Sequence, residues 1–502
     1  MWPQWQRASI LVAKSSIALT ALILVGCGSK QAKPEVVDRS LPSLWKIKDV
    51  RYSPEVTLAD PTPDGKAFYW QAVDFQNSGE EKVQFEVKQG KPPESKVPDP
   101  PKIQLIGIPE DMFAVREMAR HLVSAATRKT LPVAKFGFGP FGLSNDLYFG
   151  HTFWDADVWM LPALLFLEPQ GATDIAKYRL DRVGKAKENF DIWRSDASYV
   201  VTGLKFPWES SVSGKEVCVA KTKLQEHISG DVVWGLSQAE AMGLVDSKLV
   251  EAVATGVGSY YLWRSKSTAR GKEIQDVVSP NEKFTGDNDL YTNLLAEWIT
   301  NGRQWKEKPT YYLPKDDKSF LNYDNDPMRD YQQVAGLLSI YPLQYPPAEK
   351  QAEIMLNRFE SGLSSNGVAM GHSIIATIWA RLGQPHKAYQ AWRQSWVPYT
   401  TGPNHLFSER KNVSRPYFYT GAAGALNTVI YGFAGFRIDR TPLKDAKWTK
   451  HLKSGWWLSC KPCVPGEIGK ILLNDINLDG EKYNFVMSST GEFSATKTAP
   501  KG

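Results

Sequence analysis

The sequence predicts a mainly α-helical protein with short β segments at its two ends. Apolar residues recur at helical spacing through a series of windows, and long aromatic-rich loops join them, which favours a helical barrel or a solenoid. No fixed repeat period is visible, which argues against a regular repeat array. Alternating apolar and polar residues before and after the helical windows predict strands.

Domain boundaries follow from the changes in this pattern. A short β-rich module and a Pro-rich linker are expected at 45–102, with strands near 67–73 and 83–87. The helical region is expected at 109–440, and a small β cap at 441–502. The helices are predicted at about 111–123, 157–168, 171–188, 236–264, 290–302, 328–340, 348–361, 371–382, 385–396 and 420–432.

The composition excludes collagen, a long coiled coil and wholesale disorder. Of the 502 residues, 42% are apolar and 23% are charged. The formal charge is +6 and no basic stripe is interleaved with aromatic residues, so a nucleic-acid partner is not expected. The chain has 18 Trp, 20 Tyr and 21 Phe, which indicates either an aromatic core or the binding of a flat ligand.

The amino terminus has the features of a bacterial secretory signal. Basic residues precede an apolar run at 17–25, which is short for a membrane span and ends in small residues. The run Leu24-Val25-Gly26-Cys27 resembles a bacterial lipobox, in which the cysteine becomes the lipidated first residue of the mature protein. The sequence therefore predicts a signal peptide at 1–26, a lipid-anchored Cys27 with a tether at 27–44, and a location on a bacterial membrane in the cell envelope. An ordinary signal peptide, or an anchor with an incidental cysteine, is the alternative.

The remaining cysteines give no metal or redox signature. They are Cys218, Cys460 and Cys463. Export permits a disulfide between the last two, and free thiols are equally open. There is one C-x-x-C and no H-E-x-x-H pattern, so we expect neither a metal nor a cofactor.

Aromatic residues and carboxylates occur together in loops 150–159, 206–210 and 279–293. Sugar sites need this mixture, because a ring face packs against C–H bonds while carboxylates and amides bind hydroxyl pairs. Each loop alone also has a structural interpretation, since a Trp at a helix start is usually core and an Asp there is usually a cap.

The order of several short runs is more specific than any single loop. The runs are G-H-T-F-W-D (150–155), Y-R-L (178–180), P-W-E-S (207–210), Q-E-H-I (225–228), P-N-E (280–282), Y-T-N (291–293), Y-Q-Q-V-A (331–335) and a glycine-rich closing helix (419–436). In this order they resemble the catalytic region of glycoside hydrolase family 65. That family includes acid trehalases, maltose and kojibiose phosphorylases, and the glucosidase acting on glucosylgalactosyl-hydroxylysine. The resemblance covers about residues 110–440.

The resemblance implies an (α/α)6 barrel and inverting cleavage of an α-glucosidic bond in an α-glucoside or oligosaccharide. It implies that Glu282 is the general acid and Glu409 the general base, two carboxyl groups that an inverting hydrolase holds ~6.5–9.5 Å apart. The sugar-binding residues that it implies are Trp154, Asp155, Trp208, Glu209, His227 and Gln333.

Departures from the family pattern keep other functions open. Lys283 stands where the family has Tyr, and a nearby cation would lower the pKa of Glu282. Gln332 stands where the family has Lys. A non-catalytic sugar-binding lipoprotein is therefore one alternative, with Glu282 and Glu409 as ordinary surface residues. A phosphorylase is another, although the sequence offers no Ser/Thr-rich basic phosphate pocket, which favours water as the nucleophile.

Overall fold

The residues that the computed structural model describes are 68–77, 80–89, 102–127, 132–142, 147–193, 202–216, 218, 224–282, 285–327, 329–402, 404–411, 413 and 415–498. The predicted signal peptide, Cys27 and its tether, the Pro-rich linker and Lys283 lie outside the described residues.

Helices form most of the regular structure in the middle of the chain, so the predicted mainly α fold is confirmed. They are α1 (Pro109–Ala126), α2 (Val133–Phe136), α3 (Leu161–Leu167), α4 (Pro169–Leu180), α5 (Val183–Trp193), α6 (His227–Ala241), α7 (Ser247–Arg264), α8 (Leu290–Thr300), α9 (Pro346–Glu349), α10 (Ala352–Glu360), α11 (Gly371–Arg381), α12 (Pro385–Trp396) and α13 (Tyr419–Asn427). Short 3₁₀ or π-helical turns lie at Leu147–Gly150, Ala156–Met160, Ala335–Ser339, Val397–Tyr399, Thr428–Phe433 and Gly466–Ile468. Closure of the helices into a barrel of six pairs stays a prediction.

Two predicted helices are divided in the structure. The 236–264 window separates into α6 and α7, because Gly243 adopts a left-handed backbone with φ 72°, which ends a helix. Asp246 then caps α7, its side chain accepting from the Lys248 amide at 2.8 Å. The 171–188 window is likewise divided between α4 and α5.

The helix predicted at 328–340 is wrong for most of its length, since only its 3₁₀ turn is helical. The Gln332 amide donates to Asn281 Oδ1 at 2.6 Å, and the Gly336 amide donates to Asn322 Oδ1 at 2.5 Å. In a helix these backbone amides would donate to carbonyls four residues earlier, but here they donate to side chains of other segments.

The strands are β1 (Phe68–Asn77), β2 (Glu80–Gln89), β3 (Ile103–Ile106), β4 (Lys266–Thr268), β5 (Gly271–Glu273), β6 (Val277–Val278), β7 (Thr285–Gly286), β8 (Thr400–Thr401), β9 (Leu406–Phe407), β10 (Phe436–Asp439), β11 (Trp448–His451), β12 (Trp457–Cys460), β13 (Lys470–Leu478), β14 (Glu481–Ser488) and β15 (Phe493–Lys497). The front strands predicted near 67–73 and 83–87 are confirmed as the antiparallel hairpin β1–β2.

The carboxy-terminal strands form two sheets, in the orders β10-β12-β11 and β15-β14-β13-β3. The second sheet takes its edge strand from the segment just before α1, where Leu105 lies opposite Ile471. The sequence did not predict this strand. It ties the start of the helical region to the end of the chain.

The core of the helical region is aromatic. Trp159, Trp392 and Trp396 are fully buried, so part of the abundant tryptophan serves packing. The π-helical turn that contains Trp159 packs against α3, α6 and α13. Gly424 of α13 permits this approach, because a Cβ there would lie 2.7 Å from Ser373 Oγ and 3.4 Å from the Trp159 ring. The residues immediately before this turn, Trp154 and Asp155, are buried as well.

Candidate active site

The predicted site residues meet at one cavity of about 120 Å³. It is lined by Pro140, Tyr148, Phe153, Trp154, Asp155, Trp208, Glu209, Gln225, Val278, Glu282, Gln332, Gln333, Val368, Met370, Glu409, Arg410 and Phe418. All the predicted catalytic and sugar-binding residues are present except His227. The cavity therefore combines aromatic walls with four carboxyl groups.

Glu282 lies in the turn between β6 and β7, where its amide donates to Ser279 O at 2.7 Å. Its φ of 61° is in the left-handed region, which costs a non-glycine residue ~1–3 kcal/mol. Such strain persists only where the surroundings impose it, and it is concentrated at functional sites. The turn thus fixes the carboxyl group at one place in the cavity wall.

Burial raises the pKa of Glu282 above its ordinary value. The nearby Gln225 side chain and the charges of His227 and Arg410 lower this pKa only in part. The group therefore retains its proton to higher pH than an exposed glutamate, as a general acid must.

Glu409 follows β9 and is held differently. Its backbone carbonyl accepts from the Ala369 amide at 2.9 Å, and its Oε2 accepts from the Tyr148 hydroxyl at 3.0 Å. Burial raises the pKa of Glu409 to about 7, while Arg410 and the Tyr148 hydrogen bond lower it and Glu282 raises it. Burial also raises the pKa of Tyr148 well above its ordinary value, so the phenol keeps its proton and donates it. The Tyr148 hydrogen bond therefore favours the ionised form of Glu409.

Trp154 and Asp155 form one wall of the cavity. The Trp154 ring packs edge-on against Trp159 at 6.0 Å between centroids. Asp155 Oδ1 accepts from Thr420 Oγ1 at 2.7 Å. Burial raises the pKa of Asp155 to about 7, the Thr420 hydrogen bond lowers it, and Glu282 raises it. Asp155 is thus a third carboxyl group whose titration is coupled to that of Glu282.

A buried ion pair anchors this wall from behind. Arg179 of α4 donates to both carboxylate oxygens of Asp157, at 3.1 and 2.5 Å. It also donates to the carbonyl of Phe153 at 3.0 Å. One guanidinium group therefore binds the Phe153 carbonyl before Trp154 and Asp155 and the Asp157 side chain after them.

Trp208 and Glu209 form the adjacent wall. The Trp208 ring packs edge-on against Phe153 at 4.9 Å, and Glu209 Oε1 lies 2.7 Å from His151 Nδ1. An antiparallel bridge between Thr152 and Ser210 joins the two loops. The two Trp-carboxylate pairs lie 54 residues apart in the chain, counted from Trp154 to Trp208. The contacts between the two loops therefore bring the pairs together into one continuous surface.

His227 lies behind the cavity, at the start of α6. It is fully buried, with Nδ1 2.6 Å from Asp231 Oδ2 and Nε2 2.9 Å from Gln225 Oε1. Its ring lies against Trp154, 5.0 Å between centroids. His227 thus contacts Gln225 and Trp154 from behind the cavity, and the sugar-binding role that the resemblance implies stays a prediction.

Tyr148, Gln225 and Arg410 line the cavity although sequence reasoning did not select them. Gln225 belongs to a run that resembles the family, so its signal was present in the sequence. Tyr148 gave none, because it is 261 residues from its partner Glu409. Arg410 gave no signal beyond its place next to Glu409.

No group of three or more His, Cys, Asp and Glu side chains is placed to hold a metal ion within the described part of the chain. Cys460 and Cys463 both keep free thiols there, so the disulfide alternative is not realised. No helix among the described residues is long and apolar enough to cross a membrane.

A pair of buried carboxyl groups facing one aromatic cavity is the arrangement that glycoside hydrolases use. Residues 119–335 match the model of the glycosyl hydrolase family 65 central catalytic domain. The resemblance to this family that the motifs show is confirmed over that span. The matched span includes Trp154 to Gln333 and ends before Glu409.

The chain is also similar in sequence to curated relatives and in fold to a solved structure. The chain is 30% identical over 413 residues to a kojibiose hydrolase of Flavobacterium johnsoniae, covering 77% of this chain and 56% of that protein. It is 29% identical over 399 residues to a protein-glucosylgalactosylhydroxylysine glucosidase of Gallus gallus, covering 73% and 53%. A solved structure named as a kojibiose phosphorylase from the human microbiome superposes with a TM-score of 0.61 at 15% identity, covering 91% of this chain and 74% of that one. The chain spans just over half the length of the curated relatives it matches.

Proposed function

We propose that the chain is an inverting hydrolase of an α-glucosidic bond, with Glu282 as general acid and Glu409 as general base. The observation that carries this proposal is that two buried carboxyl groups, Glu282 and Glu409, line one cavity. Burial raises the pKa of both, and Glu409 accepts a hydrogen bond from the Tyr148 hydroxyl, which favours its ionised form.

In this reaction Glu282 gives its proton to the glycosidic oxygen as the bond from that oxygen to C1 breaks. Glu409 takes a proton from a water molecule whose oxygen bonds to C1 from the opposite face. The products are β-glucose and the free alcohol, and the two carboxyl groups return to their starting protonation by exchange with solvent. Trp154 and Trp208 supply ring faces for the sugar, while Asp155, Glu209 and Gln333 supply polar partners for its hydroxyl groups.

Glu409 also favours water over phosphate as the nucleophile. A phosphate dianion would have to approach C1 beside the Glu409 carboxylate, in a cavity that also contains Asp155 and Glu209. Negative charges that share one small cavity repel each other strongly, because the dielectric constant is low there. A phosphorylase stays the second candidate, because Arg410 could attract an anion and the solved relative carries that name.

The test is incubation with α-linked disaccharides, including kojibiose, glucosyl-galactose and trehalose. We expect β-glucose as the first product by proton NMR, with a rate that added phosphate does not increase. Formation of glucose 1-phosphate that depends on phosphate would favour the phosphorylase. Glycan binding without turnover, retained in Glu282→Gln and lost in Trp154→Ala, would instead identify a sugar-binding protein.

We further propose that the protein is exported and anchored through a lipid on Cys27. The support is the apolar run at 17–25, whose last two residues begin the run Leu24-Val25-Gly26-Cys27. In a bacterial host, wild type should incorporate labelled palmitate and sediment with membranes, whereas Cys27→Ala should do neither. Equal labelling of both proteins would exclude Cys27 as the lipidated residue.

A further inference from the structure

Trp208 and Glu209 are neighbours in the chain, and both line the cavity. In an extended strand successive side chains point to opposite faces, so two neighbours would not reach one pocket. The backbone bends at these two residues instead. The contacts that hold this bend therefore decide whether the pair can form one wall of the cavity.

The Glu216 carboxyl group accepts the backbone amides of the bend. Its Oε2 accepts from the Trp208 amide at 2.7 Å, and its Oε1 accepts from the Glu209 amide at 3.3 Å. Oε1 also accepts from the Cys218 amide at 3.1 Å. Within the described part of the chain, no backbone carbonyl accepts from the Trp208 or Glu209 amide. Glu216 is thus the described acceptor that joins these two amides to a later segment.

The other contacts of the pair are made by side chains. The Trp208 ring packs against Phe153, and Glu209 Oε1 lies 2.7 Å from His151 Nδ1. Glu216 does not belong to the described lining of the cavity. It therefore acts on the wall from outside, through the backbone.

The ionised form of Glu216 suits this role. Burial raises the pKa of Glu216, while the hydrogen bonds from the Trp208 and Cys218 amides lower it. These amides therefore favour the carboxylate, which can accept hydrogen bonds at both of its oxygens.

Resting on the proposed function, in which this wall binds sugar, we propose that Glu216 is a positioning residue. Through the two backbone amides it fixes Trp208 and Glu209 in the bend that turns both side chains to the cavity.

The test compares wild type, Glu216→Ala and Glu216→Gln on the α-linked disaccharide that wild type hydrolyses fastest. Glu216→Ala removes the acceptor of both amides, so KM should rise by about tenfold or more. The value of kcat should change less, because the wall binds the sugar in the ground state and in the transition state alike. Glu216→Gln keeps one carbonyl oxygen and should lie between the other two proteins.

Glu297→Ala is the matched control. Glu297 of α8 is buried and its Oε2 accepts from the Thr310 and Tyr311 amides at 2.7 and 2.9 Å, outside the described lining of the cavity. This variant also removes a buried carboxyl group from two loop amides, but its KM should match wild type. Equal rises of KM in Glu297→Ala and Glu216→Ala would reveal a general loosening of the protein and would overturn the proposal.

A second readout separates this proposal from the proposed function. Labelling with 5-fluorotryptophan, with Trp208→Phe to assign the signal, reports the position of the Trp208 ring by fluorine-19 NMR without substrate. The signal should move in Glu216→Ala and stay in place in Glu297→Ala. Glu216→Gln gives the same comparison if Glu216→Ala does not fold.

The two readouts fail separately. If wild type hydrolyses no α-linked disaccharide but the Trp208 signal moves in the Glu216 variants alone, the proposed function fails and the positioning role of Glu216 stands. If wild type is active, and neither KM nor the Trp208 signal changes in the folded Glu216 variants, the positioning role fails alone.

Discussion

Glu282→Gln should lose about a hundred- to ten-thousand-fold in kcat/KM on an α-linked disaccharide and yet hydrolyse α-glucosyl fluoride within about tenfold of wild type. A sugar alkoxide leaves slowly without a proton, so the disaccharide needs the acid. Fluoride leaves without one, so loss of the Glu282 proton matters little. Initial rates on both substrates, measured on the same preparations, give the comparison.

Glu409→Gln should lose activity on both substrates, because water must be deprotonated whichever group departs. Glu353→Gln is the control, since Glu353 is an exposed residue of α10, and it should behave as wild type on both. Equal losses of Glu282→Gln on the disaccharide and the fluoride would contradict its role as acid. Retained activity of Glu409→Gln on the fluoride would contradict the assignment of the base.

The sequence predicted site residues best where their functional groups are adjacent in the chain. Trp154 with Asp155, and Trp208 with Glu209, were selected because the resemblance to the family implied them, and each pair stands in a loop that combines aromatic residues with carboxylates. Glu282 and Glu409 came from the order of motifs, which also gave the family. The structure adds that these residues line one cavity.

Contacts between distant segments account for what the sequence missed. Nothing local marks Tyr148 as a donor to Glu409, because that contact depends on how the loops meet. His227 has the residue type of a sugar ligand, but Asp231 one turn later in α6 binds its ring within the core. Helical spacing predicted a helix at 328–340. The Asn281 and Asn322 side chains from other segments accept hydrogen bonds from backbone amides of that stretch, so most of it is not helical.

The second large effect is expected from the ion pair behind the Trp154 wall. Arg179 is 1% exposed and donates to Asp157 and to the Phe153 carbonyl. Arg179→Met leaves the Asp157 carboxylate buried without its cation, which should lower the free energy of unfolding by about 3–5 kcal/mol. Urea unfolding followed by tryptophan fluorescence measures this change. Because Phe153 adjoins Trp154, the variant should also bind an α-glucoside more weakly at temperatures where it remains folded.

Two control variants test whether the loss of stability comes from the unpaired buried charge of Asp157. Lys187→Met breaks an exposed pair with Asp191, where both side chains are about half exposed, and should change stability by less than about 1 kcal/mol. Replacing Asp157 by Asn in the Arg179→Met background removes the stranded charge, so part of the lost stability should return. If the double variant is no more stable than Arg179→Met, the loss comes from packing or from the Phe153 contact, and the unpaired carboxylate is not its cause.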